Sequence, residues 1–580
     1  MKNWNKKTIL RLVSYLGRHK ALLAAAIALT VMSNVLALIG PMLTGYAIDA
    51  IEPGPGSVIM TKVIFYCVLM ILCYGASALL TYFMNVVVIN LTQKVVFRMR
   101  KEVFDKLLDL PVSYFDTRQA GDLISRISYD IDTVNSSLST DVIQVCTTVI
   151  TVVGAFCSML YLAPAMLVVF LVTLPITFIF TSSRVKYIKP LFRTRSKKLG
   201  ELNGMAEELI SGQKTIKAYG REEVILGRFA AKNIESVDAY YKAEYYGSMI
   251  GPCVNFINNL SLTLISTVGA LLYLFGTISL GSVSSFILYS RKFSGPINEL
   301  ANIISEIQSA LAAAERVFAV IDEEPEKADD PDAVEIADVQ GGVEVEGLSF
   351  SYDESREILH DMNVSVKPGQ LVAIVGHTGA GKTTLINLLM RFYDASKGRI
   401  TLDGVDITKL TRKSLRLCYT MVLQDTWLFG GTIFDNIAYG RDDATQEAVM
   451  EAAKAAGIHD YISGLPNGYY TEISDDGVNL SKGQKQLITI ARAMLSRSEI
   501  LILDEATSNV DTRTERQIQD AMYALMEGRT CFVIAHRLST IENADLILVM
   551  DDGRVVEQGN HRSLLDKGGT YAKMYYSQFE

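Results

Sequence analysis

Seven cysteines are scattered through 580 residues, and no two stand in a CxxC or other metal-ligand spacing. That gives no framework for a zinc ribbon or a disulfide array, and because most of them fall in apolar runs they read as small core residues. An excess of base is missing as well: Lys and Arg total 55 against 63 Asp and Glu, a net charge of −8. Nucleic-acid binding as the main task gains no support, since it rests on a basic surface that neutralises phosphates. The most informative absence is local. No Asp, Glu, Lys or Arg occurs in residues 21–48, 63–93, 142–183 or 245–290.

A helix crosses a bilayer in about 20 apolar residues. The first two runs therefore hold one crossing each, and the two longer ones hold two apiece, hinged near Pro164 and across Gly276 to Ser282. Six crossings result. Residues 1–20 carry Lys2, Lys6, Lys7, Arg11, Arg18 and Lys20 with no acid, and 94–141 and 184–244 are rich in Lys and Arg. The positive-inside rule places these segments and both termini in the cytoplasm. No formal charge falls in the crossings as read from these runs, so neither a proton relay nor a buried ion pair is expected there. The first run, with Asn34 and Pro41 inside it, is too long and polar-tipped for a cleaved signal peptide.

Apolar spacing of three and four continues beyond the membrane in both long cytoplasmic segments, predicting helical extensions with breaks near Val112 to Thr117 and Gly212 to Arg221. The chain then divides into a membrane domain over 1–321, an acidic Pro-containing linker over 322–342, and a domain over 343–580 where short β-branched strands alternate with helices.

That last domain opens with a phosphate-binding loop. "LVAIVGHTGAGKTT" is a buried strand followed by Gly376, His377, Thr378, Gly379, Ala380, Gly381, Lys382 and Thr383, then Thr384 in the helix. Glycines let the backbone wrap round phosphates, helix amides point at them, Lys382 reaches the β and γ phosphates, and the Thr383 hydroxyl is placed for Mg²⁺. Downstream, "ILILDEATSNVD" supplies an apolar strand ending in Asp504, a second Mg²⁺ ligand, followed by Glu505 as a general base for the attacking water.

These motifs together resemble the ATP-binding cassette (ABC) superfamily, and six crossings ahead of the cassette resemble its exporter-type half transporters over essentially the whole chain. The resemblance implies an all-α six-helix transmembrane domain of the type IV exporter fold followed by an α/β P-loop ATPase domain, with ATP and Mg²⁺ as cofactors. It also implies roles: Tyr352 stacking on adenine, Gln424 sensing Mg²⁺ and coupling to the membrane domain, His536 contacting the γ-phosphate, and Asp511 linking the two sites of a dimer. The two helical breaks correspond to coupling helices. The implied setting is a bacterial inner (plasma) membrane with a cytoplasmic ATPase domain, membrane lipid around it, and a drug, lipid or peptide as the small-molecule substrate.

One departure stands out in "NLSKGQKQL". The family signature reads Leu-Ser-Gly-Gly-Gln, and in a head-to-tail dimer its Ser481, Gly483 and Gln484 would close over the partner's nucleotide; here Lys482 replaces a glycine. A side chain there removes glycine's permissiveness where the backbone must approach closely, or sets a point charge against phosphate. With Lys382, Asp504, Glu505 and His536 intact, the resemblance implies a heterodimer with a different half transporter that lacks the catalytic glutamate but keeps its signature. A homodimer, an importer and a regulatory subunit are the alternatives on the same frame.

Overall fold

Long apolar stretches without charge have one way to satisfy their backbone in lipid, and each becomes helix. The computed structural model describes residues 6–51, 58–353, 356–423, 426–473, 480–504, 512–535 and 538–577. Its helices begin α1 (Lys6–Gly17), α2 (Lys20–Asp49), α3 (Met60–Leu108), α4 (Val112–Asp116), α5 (Ala120–Ser125) and α6 (Ile131–Ser136). They continue as α7 (Val142–Leu162), α8 (Pro164–Ser211), α9 (Gln213–Ala218), α10 (Glu222–Ser248), α11 (Ile250–Leu274) and α12 (Leu280–Ile321). Four described helical stretches meet the length and apolarity of a crossing (Lys20–Asp49, Met60–Leu108, Ala120–Leu162 and Glu222–Leu274), and the other two charge-free segments run along α8 and α12. Pro164 opens α8, where a missing N–H costs nothing.

By packing, the chain divides into Met1–Leu108 with Ala120–Glu323, and Asp109–Gln119 with Glu324–Glu580. In the first unit, α2 and α12 approach backbone to backbone: a Cβ added at Gly281 would lie 2.1 Å from the Gly45 carbonyl oxygen. Asp49 closes that end by accepting from the Gly281 amide and the Ser279 hydroxyl, both at 2.7 Å. Elsewhere Asp130, 3% exposed, takes a two-pronged bond from Arg316 (2.8 and 2.5 Å). Tyr15 of α1 hydrogen-bonds Glu102 of α3, and Arg11 grips Asp322 just past α12.

Among the described residues the second unit carries twelve strands: β1 (Val343–Phe350), β2 (Leu359–Val366), β3 (Leu371–Gly376), β4 (Lys397–Leu402), β5 (Val405–Asp406), β6 (Tyr419–Val422), β7 (Gly431–Thr432), β8 (Glu472–Ile473), β9 (Ile500–Asp504), β10 (Thr530–Ile534), β11 (Leu546–Asp551) and β12 (Arg554–Gly559). Its helices include α13 (Lys382–Leu389), α14 (Arg412–Leu417), α15 (Ile433–Ala438), α16 (Gln446–Ala455), α17 (His459–Ser463) and α18 (Lys482–Leu495). The main sheet runs β12-β11-β3-β10-β9-β6, parallel except for the β11–β12 hairpin; a second, antiparallel sheet runs β2-β1-β4-β5. Near-continuous burial of β3, β9 and β10 suits strands covered on both faces.

The acidic stretch after α12 is largely irregular but not loose against this unit. Glu326 takes two bonds from Arg416 (3.0 and 2.5 Å), and Asp329 takes one from Arg412 (2.8 Å). Arg416 also donates to the Arg391 and Met390 carbonyls just past α13, so the far end of the P-loop helix is tied to this acidic stretch.

Candidate functional site

Open α/β sheets bind ligands beyond the carboxyl ends of their parallel strands. Register puts those ends side by side here: Ile534 of β10 pairs with Ile374 of β3 and with Asp504 of β9, and Leu503 pairs with Val422 of β6. The loop from β3 to α13 lies at that edge. Gly379 and Gly381 hold φ of 86° and 97°, a region closed in practice to other residues, and a Cβ at Gly381 would lie 2.6 Å from Leu359 Cδ2. Gly381 is the N-cap of α13 and supplies no side-chain cap. The Lys382 ammonium donates to the Gly376 and His377 carbonyls at 2.7 and 2.9 Å, so it sits inside the turn of its own loop. Burial lowers its pKa from the usual lysine range, while the Asp504 carboxylate pulls the other way. Thr383 is exposed at the second position of α13, and Thr384 is buried.

Beside the loop stands an aromatic group. Tyr352 is 49% exposed, its hydroxyl 3.2 Å from Thr384 Oγ1, and its ring meets Phe350 and Tyr393 edge-on at 4.8 and 5.0 Å. Tyr393 in turn donates to Asp116, on the short helix α4, at 2.6 Å. Burial and that carboxylate push the Tyr393 hydroxyl pKa up. An exposed ring held at its edge by neighbours presents a face for stacking.

At the start of α18, Ser481 is the N-cap in a full capping box: its hydroxyl accepts from the Gln484 amide (3.2 Å), and the Gln484 side chain accepts from the Ser481 amide (2.8 Å). Lys482 is the first helical residue, exposed, and Gly483 is buried. No left-handed φ occurs at Lys482. An ordinary helical backbone takes any residue, so what lysine changes at this position is volume and charge.

Family models describe the two halves. Residues 23–297 match the ABC transporter transmembrane region, and 359–508 match the ABC transporter family model. An uncharacterized ABC transporter ATP-binding protein, YfiC, of Bacillus subtilis (strain 168) is 44% identical over 99% of this chain and 95% of its own. The chain is an ABC transporter. A fatty acid ABC transporter ATP-binding/permease protein of Mycobacterium bovis (strain ATCC BAA-935 / AF2122/97) is 45% identical over 86% of this chain and 79% of that one. The structure of a bacterial Atm1-family ABC exporter with ATP bound superposes with a TM-score of 0.78 at 31% identity, covering 96% of this chain and 98% of that one. This ABC transporter is thus a multi-pass membrane exporter half, a six-helix domain fused to an ATP-hydrolysing cassette that binds ATP.

Among the site residues expected from sequence, the loop 376–384, Tyr352, Asp504, Ser481, Gly483 and Gln484 have described positions in the cassette. Gln424, Glu505, Asp511 and His536 lie outside the described residues, although β6, β9 and β10, which lead into three of them, end at the P-loop edge. Sequence reasoning missed Tyr393 and Asp116, which carry no motif of their own. It also missed Lys292. The charge-free run stops at 290, but α12 continues, and the Lys292 ammonium reaches the Ala37 carbonyl of α2 at 2.9 Å. The expectation of uncharged crossings is corrected there.

Proposed function

We propose that this chain is the consensus-glutamate half of a heterodimeric exporter that moves an amphipathic, lipid-like substrate out of the cytoplasm across a bacterial inner membrane. The P-loop carries the reading: left-handed glycines, uncapped α13 amides and a lysine inside the turn form a cradle that fits a triphosphate. Mg²⁺, when bound, neutralises phosphate charge, and Thr383, Asp504 and Gln424 are the residues to hold it. Tyr352 offers its ring to adenine. Glu505 takes a proton from the attacking water, His536 contacts the γ-phosphate, and Asp511 links the paired sites. Closing two cassettes adds phosphate contacts absent when they are apart, and that difference shifts the membrane halves between inward and outward access.

Lipid-like substrate is supported by the fatty acid transporter among the relatives. Asymmetry is supported by Lys482 in a chain whose P-loop lysine, Asp504, Glu505 and His536 are all present. The homodimer draws on one observation, the unstrained backbone at Lys482. Two measurements test the proposal. Glu505→Gln is expected to bind ATP but turn over at least about 100-fold more slowly, the scale of a lost general base; wild-type turnover removes the assigned role. Purified alone, the chain is expected to hydrolyse ATP weakly, and full two-site activity would replace the heterodimer with the homodimer.

A further inference from the structure

Proline inside a helix deprives the carbonyl four residues back of its N–H partner. Pro41 lies inside α2, and the carbonyl it orphans is Ala37, the one the Lys292 ammonium takes. Lys292 belongs to a stripe on α12. One turn before it the Tyr289 hydroxyl donates to the Leu38 carbonyl at 2.6 Å, and one further turn back the Ser285 hydroxyl donates to the Pro41 carbonyl at 2.8 Å.

Two of these three positions cap carbonyls of this proline-containing helix with neutral hydroxyls, whereas the third does so with a cation. Ala37 stands 16 residues from Ala21 and 11 from Ile48, about 24 and 17 Å along the helix at its ordinary rise. That is close to the middle of the crossing, where a lysine is costly to bury and marks a functional site by default. The charge-free runs of α2, α7 and α11 supply no acid, and the described residues give Lys292 no carboxylate partner. An ammonium has three N–H donors and Ala37 uses one. A neutral polar strip lies one turn away on α2, where Asn34 meets Thr147 and Thr151 of α7 at 3.4 Å.

We propose that Lys292 recognises the acidic headgroup, carboxylate or phosphate, of an anionic amphiphile on the translocation path. This rests on the lipid-exporter reading and names its substrate class. Among the described residues no counter-ion is supplied, and the substrate's own acid takes that place.

The test uses the full-length transporter, with its partner chain where one is required, in phosphatidylcholine nanodiscs. ATP hydrolysis is titrated with palmitate, with palmitic acid methyl ester and with dioleoyl phosphatidate. Wild type is expected to respond to an acidic amphiphile at about tenfold lower concentration than to the ester, the scale of one charge-assisted hydrogen bond. A response to palmitate alone assigns a carboxylate, and to phosphatidate alone a phosphate. Lys292→Met is expected to erase the preference for acid while the ester response persists, and Lys292→Arg to retain it. Equal weakening towards acid and ester in Lys292→Met, or the same selective loss in Tyr289→Phe, overturns the proposal in favour of packing. A wild type that responds equally to acid and ester overturns it and leaves the exporter reading standing. Hydrolysis stimulated by no amphiphile at all overturns the lipid reading, and this proposal with it.

Discussion

Under the proposed function the N-termini of α13 and α18 both face phosphate, yet they are built in opposite ways. α13 begins on a left-handed glycine that caps nothing, so its first amides are left for a ligand. α18 begins on a serine whose hydroxyl already accepts from the Gln484 amide, and whose own amide is covered by the Gln484 side chain. One end is kept open by backbone geometry that only glycine supports, and the other is closed by side chains on an ordinary backbone. Residue identity at the first is therefore dictated by conformation, while at the second it is free to report chemistry.

Gly381→Ala should break the open end outright. An L-residue at this φ is strained by about 1–2 kcal/mol, and the added Cβ would lie 2.6 Å from Leu359 Cδ2 in a packed core. We expect ATP affinity to fall by at least about 100-fold, since the loop must move off the phosphates, along with a lower unfolding temperature. Binding of a fluorescent ATP analogue and thermal unfolding check both; wild-type affinity would mean that the loop does not need the left-handed turn.

Much of this was legible beforehand because the signals were strong and local. Six crossings follow from charge-free runs, and short helices at Val112–Asp116 and Gln213–Ala218 follow from breaks in periodicity. The P-loop is legible because strand, glycines and lysine are adjacent in sequence. What sequence does not show is pairing at a distance. Tyr393 and Asp116 are 277 residues apart, and neither belongs to a motif. Lys292 stood just outside a charge-free run, and its meaning depends on a proline 251 positions earlier. A signal for it did exist: Pro41 in a membrane helix announces an orphaned carbonyl at Ala37, and a donor must be found somewhere.

Ser481→Ala should act on the closed end by a smaller amount. Loss of an N-cap hydroxyl costs about 1 kcal/mol, and α18 packs a buried face including Leu487, Ile488 and Ile490 into the cassette core. A modest drop in unfolding temperature is expected, with ATP affinity at the chain's own P-loop unchanged within error. Should affinity fall with stability, the two ends are not independent and the contrast drawn between them fails.

Lys482→Gly is the smallest perturbation of the fold and the sharpest test of assembly. Glycine in a helix's first turn loses about 0.5–1 kcal/mol of backbone entropy. Removing a cation from the positive end of a helix returns about 0.3–1 kcal/mol. The two nearly cancel, so unfolding temperature should hold, and any kinetic change then comes from the nucleotide the signature faces. In a heterodimer that nucleotide lies over a partner lacking the catalytic glutamate, so turnover should change less than about twofold, with nearly all flux through the other site. In a homodimer Lys482 stands over both working sites, and restoring glycine should shift kcat severalfold. The same substitution, assayed in the chain alone and in its native complex, therefore reads out which assembly exists.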